Sequence, residues 1–210
     1  MASPDPARGN HERHGHERHG HERRGHERRG HERHGQDRAP ADSVIRTCAA
    51  HGWTLAVAES LTGGLVIADL TAVPGASQVV LGGVVAYDAA LKSALLDVSD
   101  ETLEQHGTVS PACAMEMARG MRHSVGAVVA VSTTGVAGPT PSEGHPVGTV
   151  HLAVSMCQPG WEEVTATSAL HLTGTRMDIR TQATALAVSL LLATLTSESP
   201  PSIAQGGGIQ

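Results

Sequence analysis

Apolar positions recur with regular spacing from about Ala41 onward, whereas residues 11–35 contain none. Ala41 to Gly52 reads as a short helix with Asp42 or Ser43 as its cap. Thr54–Ala58 (TLAVA) is a continuous apolar run of strand length, which predicts a strand buried on both faces. It runs into Glu59-Ser60-Leu61-Thr62-Gly63-Gly64 and then a helix-periodic segment to about Val73. After the Pro74-Gly75 turn, Val79–Tyr87 predicts a second buried strand, with Gly82-Gly83 marking a bulge or a close backbone approach. Asp88 is placed to cap a helix carrying Lys92 through Leu96.

Ser99–His106 predicts a helix closed by Gly107, and Ser110-Pro111 opens a longer one to about Val125. Ala127–Thr133 predicts a third strand, and 134–148 a Gly/Pro loop. Thr149–Met156 and Val164–Leu172 predict two further strands joined at Gln158-Pro159-Gly160, and Thr175 to about Thr196 a final apolar helix. Helices alternating with apolar strands, then two adjacent strands, predict a three-layer α/β/α domain with a mixed sheet and the hairpin at one edge. The domain is expected over residues 42–196, between a polar tail at 1–41 and a loose tail at 197–210.

Composition sharpens this division. Residues 11–35 are five HERHG or HERRG pentapeptides with eight His between His11 and His34, a run that cannot bury enough surface to fold and reads as disordered. It has no H-E-x-x-H; weak multi-site Ni or Zn affinity is its functional reading, and a solvated low-complexity tail the plainer and favoured one. The net charge of −6 hides a split, with +2 in residues 1–40 and −8 in the rest. An acidic body argues against a phosphate-backbone footprint, so no nucleic-acid partner is expected. The apolar stretches look too short and interrupted to span a bilayer, and no metal centre or cofactor is expected. Cys48, Cys113 and Cys157 form no C-x-x-C pair, so neither a disulfide framework nor a Cys-rich zinc site is expected and a cytoplasmic setting is the default.

Lys92 is the only lysine and Tyr87 the only tyrosine. Lysine differs from arginine chiefly in being able to lose its proton. One turn into a helix, its charge is disfavoured by the helix dipole, which suits a general base. Three other loops carry small polar groups near strand ends. Ser60 to Gly64 is an anion site in principle. Ser77 stands just before a strand, outside any G-x-S-x-G elbow. Thr134-Gly135 ends the third strand, where ligands collect in open α/β sheets.

Taken together, AESLTGG (58–64), PGAS (74–77), GGVVAYDAALK (82–92), ETLEQHGTVS (101–110), TTGVAGP (133–139), PVGTV (146–150) and LTGTRMDIRTQA (172–183) resemble the C-terminal domain of the competence/damage-inducible protein CinA. Stand-alone members of that family are nicotinamide-nucleotide amidohydrolases. The resemblance implies hydrolysis of nicotinamide mononucleotide (NMN) to nicotinic acid mononucleotide and ammonia. It also implies Ser77, Tyr87 and Lys92 as catalytic groups, and substrate contacts at Ser60, Thr62, Gly63, Gly64, Thr134, Gly135 and Arg176. The substrate phosphate would take the Thr62-Gly63-Gly64 helix start or Arg176. Self-association is expected, with no membrane partner. Leu61, Ala76, Asp88-Ala89 and His145 depart from the residues common in the family. The competing expectation is a binding module of the same fold that holds a pyridine nucleotide without turnover.

Overall fold

The structure, a computed structural model, describes residues 39–158, 160 and 162–197. The pentapeptide run and the chain beyond Ser197 lie outside the described residues. The elements are α1 (Ala39–His51), β1 (Leu55–Glu59), α2 (Leu65–Thr71), a 3-10 turn (Ala76–Gln78), β2 (Val80–Val85), α3 (Ala89–Leu96), α4 (Asp100–His106), α5 (Pro111–Val125), β3 (Val129–Gly135), β4 (Thr149–Met156), β5 (Val164–His171) and α6 (Arg176–Thr196). α1 already includes Ala39, so the expected domain start at residue 42 moves earlier. Asp42 sits within its first turn and Ser43 Oγ donates to the Ala39 carbonyl, so neither caps it as expected.

The sheet has the order β2-β1-β3-β4-β5. β1 pairs parallel with β2 and β3, while β3–β4 and β4–β5 are antiparallel, the expected mixed sheet with its hairpin at one edge. β1 is buried along its whole length, as a continuous apolar run predicts. Leu55 pairs with Val80 but Ala56 with Gly82, so Leu81 is the extra residue of a bulge. A Cβ on Gly83 would lie 3.2 Å from Ile67 Cγ1, so α2 packs directly on the β2 backbone.

One face of the sheet carries Leu55, Val57, Val129, Val131 and Leu152 against α1, α2 and α6. The other carries Ala56, Ala58 and Ala130 against Met117 and Met121 of α5, with Leu96 of α3. With no Phe in the chain, close packing falls to small and branched side chains. By length and composition α6 is apolar enough to cross a membrane, contrary to the expectation that every apolar stretch is too short and interrupted. Its buried residues, Ile179, Ala183, Ala187, Val188 and Leu191 among them, belong to the core.

Candidate active site

β1, β2 and β3 are parallel, so their C-terminal ends lie at one end of the sheet. β2 and β3 flank β1 on opposite sides, so the chain steps out from β1 to β2 and then crosses back past β1 to β3. The crevice outside those ends is where open α/β sheets place ligands. A pocket of about 300 Å³ opens there, lined by Ser60, Tyr87, Thr134, Gly135 and Arg176 among others. Its volume is at the lower end of small-molecule sites, about 300–1,000 Å³.

Ser60 directly follows β1, and its N–H donates to the Thr133 carbonyl, 2.9 Å away, continuing the β1–β3 ladder. Lys92 lies in the first turn of α3, capped by Asp88 through the Ala90 N–H at 2.8 Å. Helical side chains lean toward the N-terminus, which turns Lys92 back over its own helix start. Lys92 is 1% exposed, and its Nζ lies 3.1 Å from Ser60 Oγ, 2.7 Å from the Ala86 carbonyl oxygen and 3.4 Å from that of Tyr87. Burial pulls the ammonium below its ordinary pKa, while the negative charges of Cys113 (as thiolate), Glu143 and Asp88 oppose that pull. A neutral Lys92 has two N–H groups for the two carbonyls, leaving its lone pair for the Ser60 hydroxyl proton.

Ser77 does not belong to this cluster, which corrects the Ser77–Tyr87–Lys92 grouping. Ser77 is exposed in the 3-10 turn before β2, beside the N-terminal end of the sheet, where the Leu55 N–H donates to the Val79 carbonyl. Lys92 follows β2, at the other end, where the Ala86 N–H donates to the Glu59 carbonyl. At about 3.3 Å per residue, the intervening strand separates the two ends by roughly 20 Å. The signal was available in the predicted strands. A residue before a strand and one after it lie at opposite ends, whereas Ser60, after a parallel neighbour, shares the end with Lys92.

Tyr87 is 60% exposed, and its hydroxyl oxygen accepts a hydrogen bond from Arg176 Nη2 at 2.8 Å. Arg176 also donates to the Gly138 carbonyl, so the start of α6 closes one side of the pocket. Thr134 Oγ1 donates to the Thr108 carbonyl at 2.7 Å, which turns Thr134 toward the pocket wall.

The Thr62-Gly63-Gly64 segment is not an open anion site. The buried Glu59 carboxylate accepts from the N–H groups of Gly64 (2.8 Å), Val66 (3.2 Å) and Ile67 (2.9 Å). The Gly63 N–H donates to the Ser60 carbonyl. The chain's own carboxylate thus occupies the helix start expected for a phosphate. Gly64 takes a left-handed φ of 97°, which favours glycine at this turn. Thr62 Oγ1 is buried against Thr133 Oγ1 at 2.7 Å, and Arg180 Nη2 donates to the Thr62 carbonyl at 2.7 Å. These residues brace the Ser60 turn from behind.

Thr108, Val109, Ser142 and Glu143 also line the pocket and were missed in the sequence. The Glu143 carboxylate accepts from the Thr108 N–H (2.8 Å) and hydroxyl (2.6 Å), a pairing across 35 residues. No local pattern announces it. Among the described residues, no group of three or more His, Cys, Asp or Glu is placed to hold a metal ion.

A family model described as the CinA C-terminal domain matches residues 37–195. A CinA-like protein of Mycobacterium avium (strain 104) is 45% identical over 156 residues, which cover 74% of this chain and 36% of that protein. A CinA-like protein of Chlorobium phaeobacteroides is 47% identical over 136 residues, 64% of this chain and 32% of that one. The chain thus spans about a third of the length of these relatives. Among solved structures, the competence damage-inducible protein A of Klebsiella pneumoniae MGH 78578 superposes with a TM-score of 0.72 at 33% identity, covering 78% of this chain and 99% of that one. A CinA superfamily protein of Klebsiella pneumoniae 700603 gives 0.70 at 34% identity over 76% and 97%. Matched across nearly all of its described residues, the chain belongs to the CinA C-terminal domain family.

Proposed function

We propose that the chain is an amidohydrolase of nicotinamide mononucleotide, with Ser60 as nucleophile and Lys92 as general base. The observation that carries this is the buried Lys92 Nζ, 3.1 Å from Ser60 Oγ at the pocket floor. In the proposed reaction Ser60 Oγ attacks the carboxamide carbon while Lys92 takes the hydroxyl proton. The tetrahedral oxyanion would be held by pocket backbone at Leu61 or Gly135. Lys92 returns the proton to the departing nitrogen, the C–N bond breaks and ammonia leaves. Water then attacks the Ser60 ester, passing a proton to Lys92. Lys92 hands it to Ser60 Oγ as the ester bond breaks, and nicotinic acid mononucleotide is released.

Arg176 is the side chain proposed to meet the substrate phosphate, since the α2 start is filled by Glu59. Tyr87 holds Arg176 in place. A cytoplasmic setting is proposed for the reaction, with which the buried thiols of Cys48 and Cys113 accord. The test is direct: the purified full chain is incubated with NMN and ammonia is measured. Ammonia in step with nicotinic acid mononucleotide supports the hydrolase. Binding of NMN without ammonia would leave a nucleotide-binding module.

A further inference from the structure

We propose that Glu143 is a positioning residue, whose carboxylate bolts the outer pocket wall (residues 138–147) onto the Thr108 turn and so sets substrate affinity at the Ser60–Lys92 site. The proposal rests on the amidohydrolase reading for its kinetic arm only.

Three observations converge on this carboxylate. First, its donors all come from the facing wall: the Thr108 N–H at 2.8 Å, the Thr108 hydroxyl at 2.6 Å and the Val109 N–H. With three of its roughly four acceptor positions taken, Glu143 is committed chiefly to the wall. Burial alone would raise its pKa, but the hydrogen bonds from Thr108 and Val109 outweigh this, and the carboxyl titrates below its ordinary value.

Second, the backbone is shaped around the contact. Ser142 and His145 exchange N–H···O bonds of 3.2 and 2.9 Å. Between them Glu143 and Gly144 take φ of 50° and 77°, the positive values that a type I′ turn needs at both central positions. Asn, Asp or Gly is the usual residue at the first of these; a glutamate there is strained and is offset by what its side chain binds. Opposite, Gly107 has φ of 73°, and a Cβ on it would lie 2.8 Å from Glu143 Oε2.

Third, the bolt is anchored to the sheet. The Thr108 carbonyl accepts from Thr134 Oγ1, and Thr134 belongs to β3. The path from the rigid sheet end to the outer wall is therefore Thr134, Thr108, Glu143. At its other end the wall is held by Arg176 on the Gly138 carbonyl. Releasing Glu143 would leave the wall free between Gly138 and Pro146 while Ser60 and Lys92 stay in place.

The experiment uses the full chain with Glu143→Ala and Glu143→Gln, and two readouts. In hydrogen exchange without ligand, Glu143→Ala should expose the Thr108 amide and the 138–147 amides, with exchange about tenfold faster or more. In steady-state hydrolysis of NMN, measured on the pH plateau above the Lys92 limb (which loss of the Glu143 charge moves to lower pH), the same variant should raise KM about tenfold or more with kcat within about threefold. Gln keeps an acceptor for the Thr108 N–H and should restore most of both. Unchanged protection overturns the proposal, as does lost protection with KM unchanged, or a fall in kcat at constant KM. If the wild-type chain releases no ammonia, the amidohydrolase reading fails, and exchange together with NMN affinity by calorimetry still decides whether Glu143 holds the wall and sets binding.

Discussion

Lys92→Arg separates a base from a fixed charge. Lys92 is 1% exposed, with the Ser60 hydroxyl and two carbonyl oxygens within 3.4 Å of Nζ. Arginine keeps the positive charge and can donate to the same carbonyls, but it does not give up its proton in the working pH range. Losing a general base costs about 10²–10⁴-fold, or about 2.7–5.4 kcal/mol of barrier at 1.36 kcal/mol per decade. Lys92→Arg should therefore lose activity on this scale, close to Lys92→Ala. Because the site is closed, the larger guanidinium can also disturb packing, so each variant needs circular dichroism and a melting curve. A second control avoids the steric question: small primary amines added to Lys92→Ala should restore part of the rate by acting as the missing base. The assay is ammonia release from NMN across pH. In the wild type, kcat/KM should rise with pH as one proton leaves a group titrating below about 10.4, because burial disfavours the Lys92 charge. Folded Lys92→Arg retaining activity within about tenfold of wild type would refute the base assignment.

Asp88 helps to keep Lys92 protonated, so Asp88→Asn should move that rising limb to lower pH, while Asn still caps α3 and the melting temperature holds. A limb that stays in place or moves up would contradict the sign. Glu59→Ala should orphan three N–H groups at the α2 start, costing about 3 kcal/mol or more and lowering Tm by roughly 6–12 °C. A calorimetric shift under about 2 °C would show that water replaces the carboxylate freely. Arg176→Ala should raise KM for NMN far more than for its dephosphorylated nucleoside; equal effects on both would remove Arg176 from the phosphate.

Much of the architecture was legible because its start signals are local. Ser110 accepts from the Cys113 N–H with Pro111 at the first helical position, Ser99 from the Thr102 N–H, and Asp88 from the Ala90 N–H. The buried β1 and the close backbone approach at Gly83 follow from an apolar run and two glycines, while the bulge falls one residue earlier, at Leu81. Lys92 stood out by composition, but its burial did not, since a lysine early in a helix normally reaches solvent. The expected Ser77–Lys92 grouping is set apart by chain direction, because β2 lies between Ser77 and Lys92. The anion site at Gly63-Gly64 failed because the competing anion, Glu59, is adjacent in sequence and folds back on the helix it precedes. Glu143 was illegible because its partner is 35 residues away and the loop between 134 and 148 carries no periodicity.

The central claim, that Ser60 rather than Ser77 is the nucleophile paired with Lys92, is tested by the initial rate of ammonia release from NMN by Ser60→Ala and Ser77→Ala side by side. Both substitutions leave the fold intact by circular dichroism if the account holds. Ser60→Ala should then fall to the background rate while still binding NMN, and Ser77→Ala should stay within a few-fold of wild type. Loss of activity in Ser77→Ala with Ser60→Ala unaffected would contradict it.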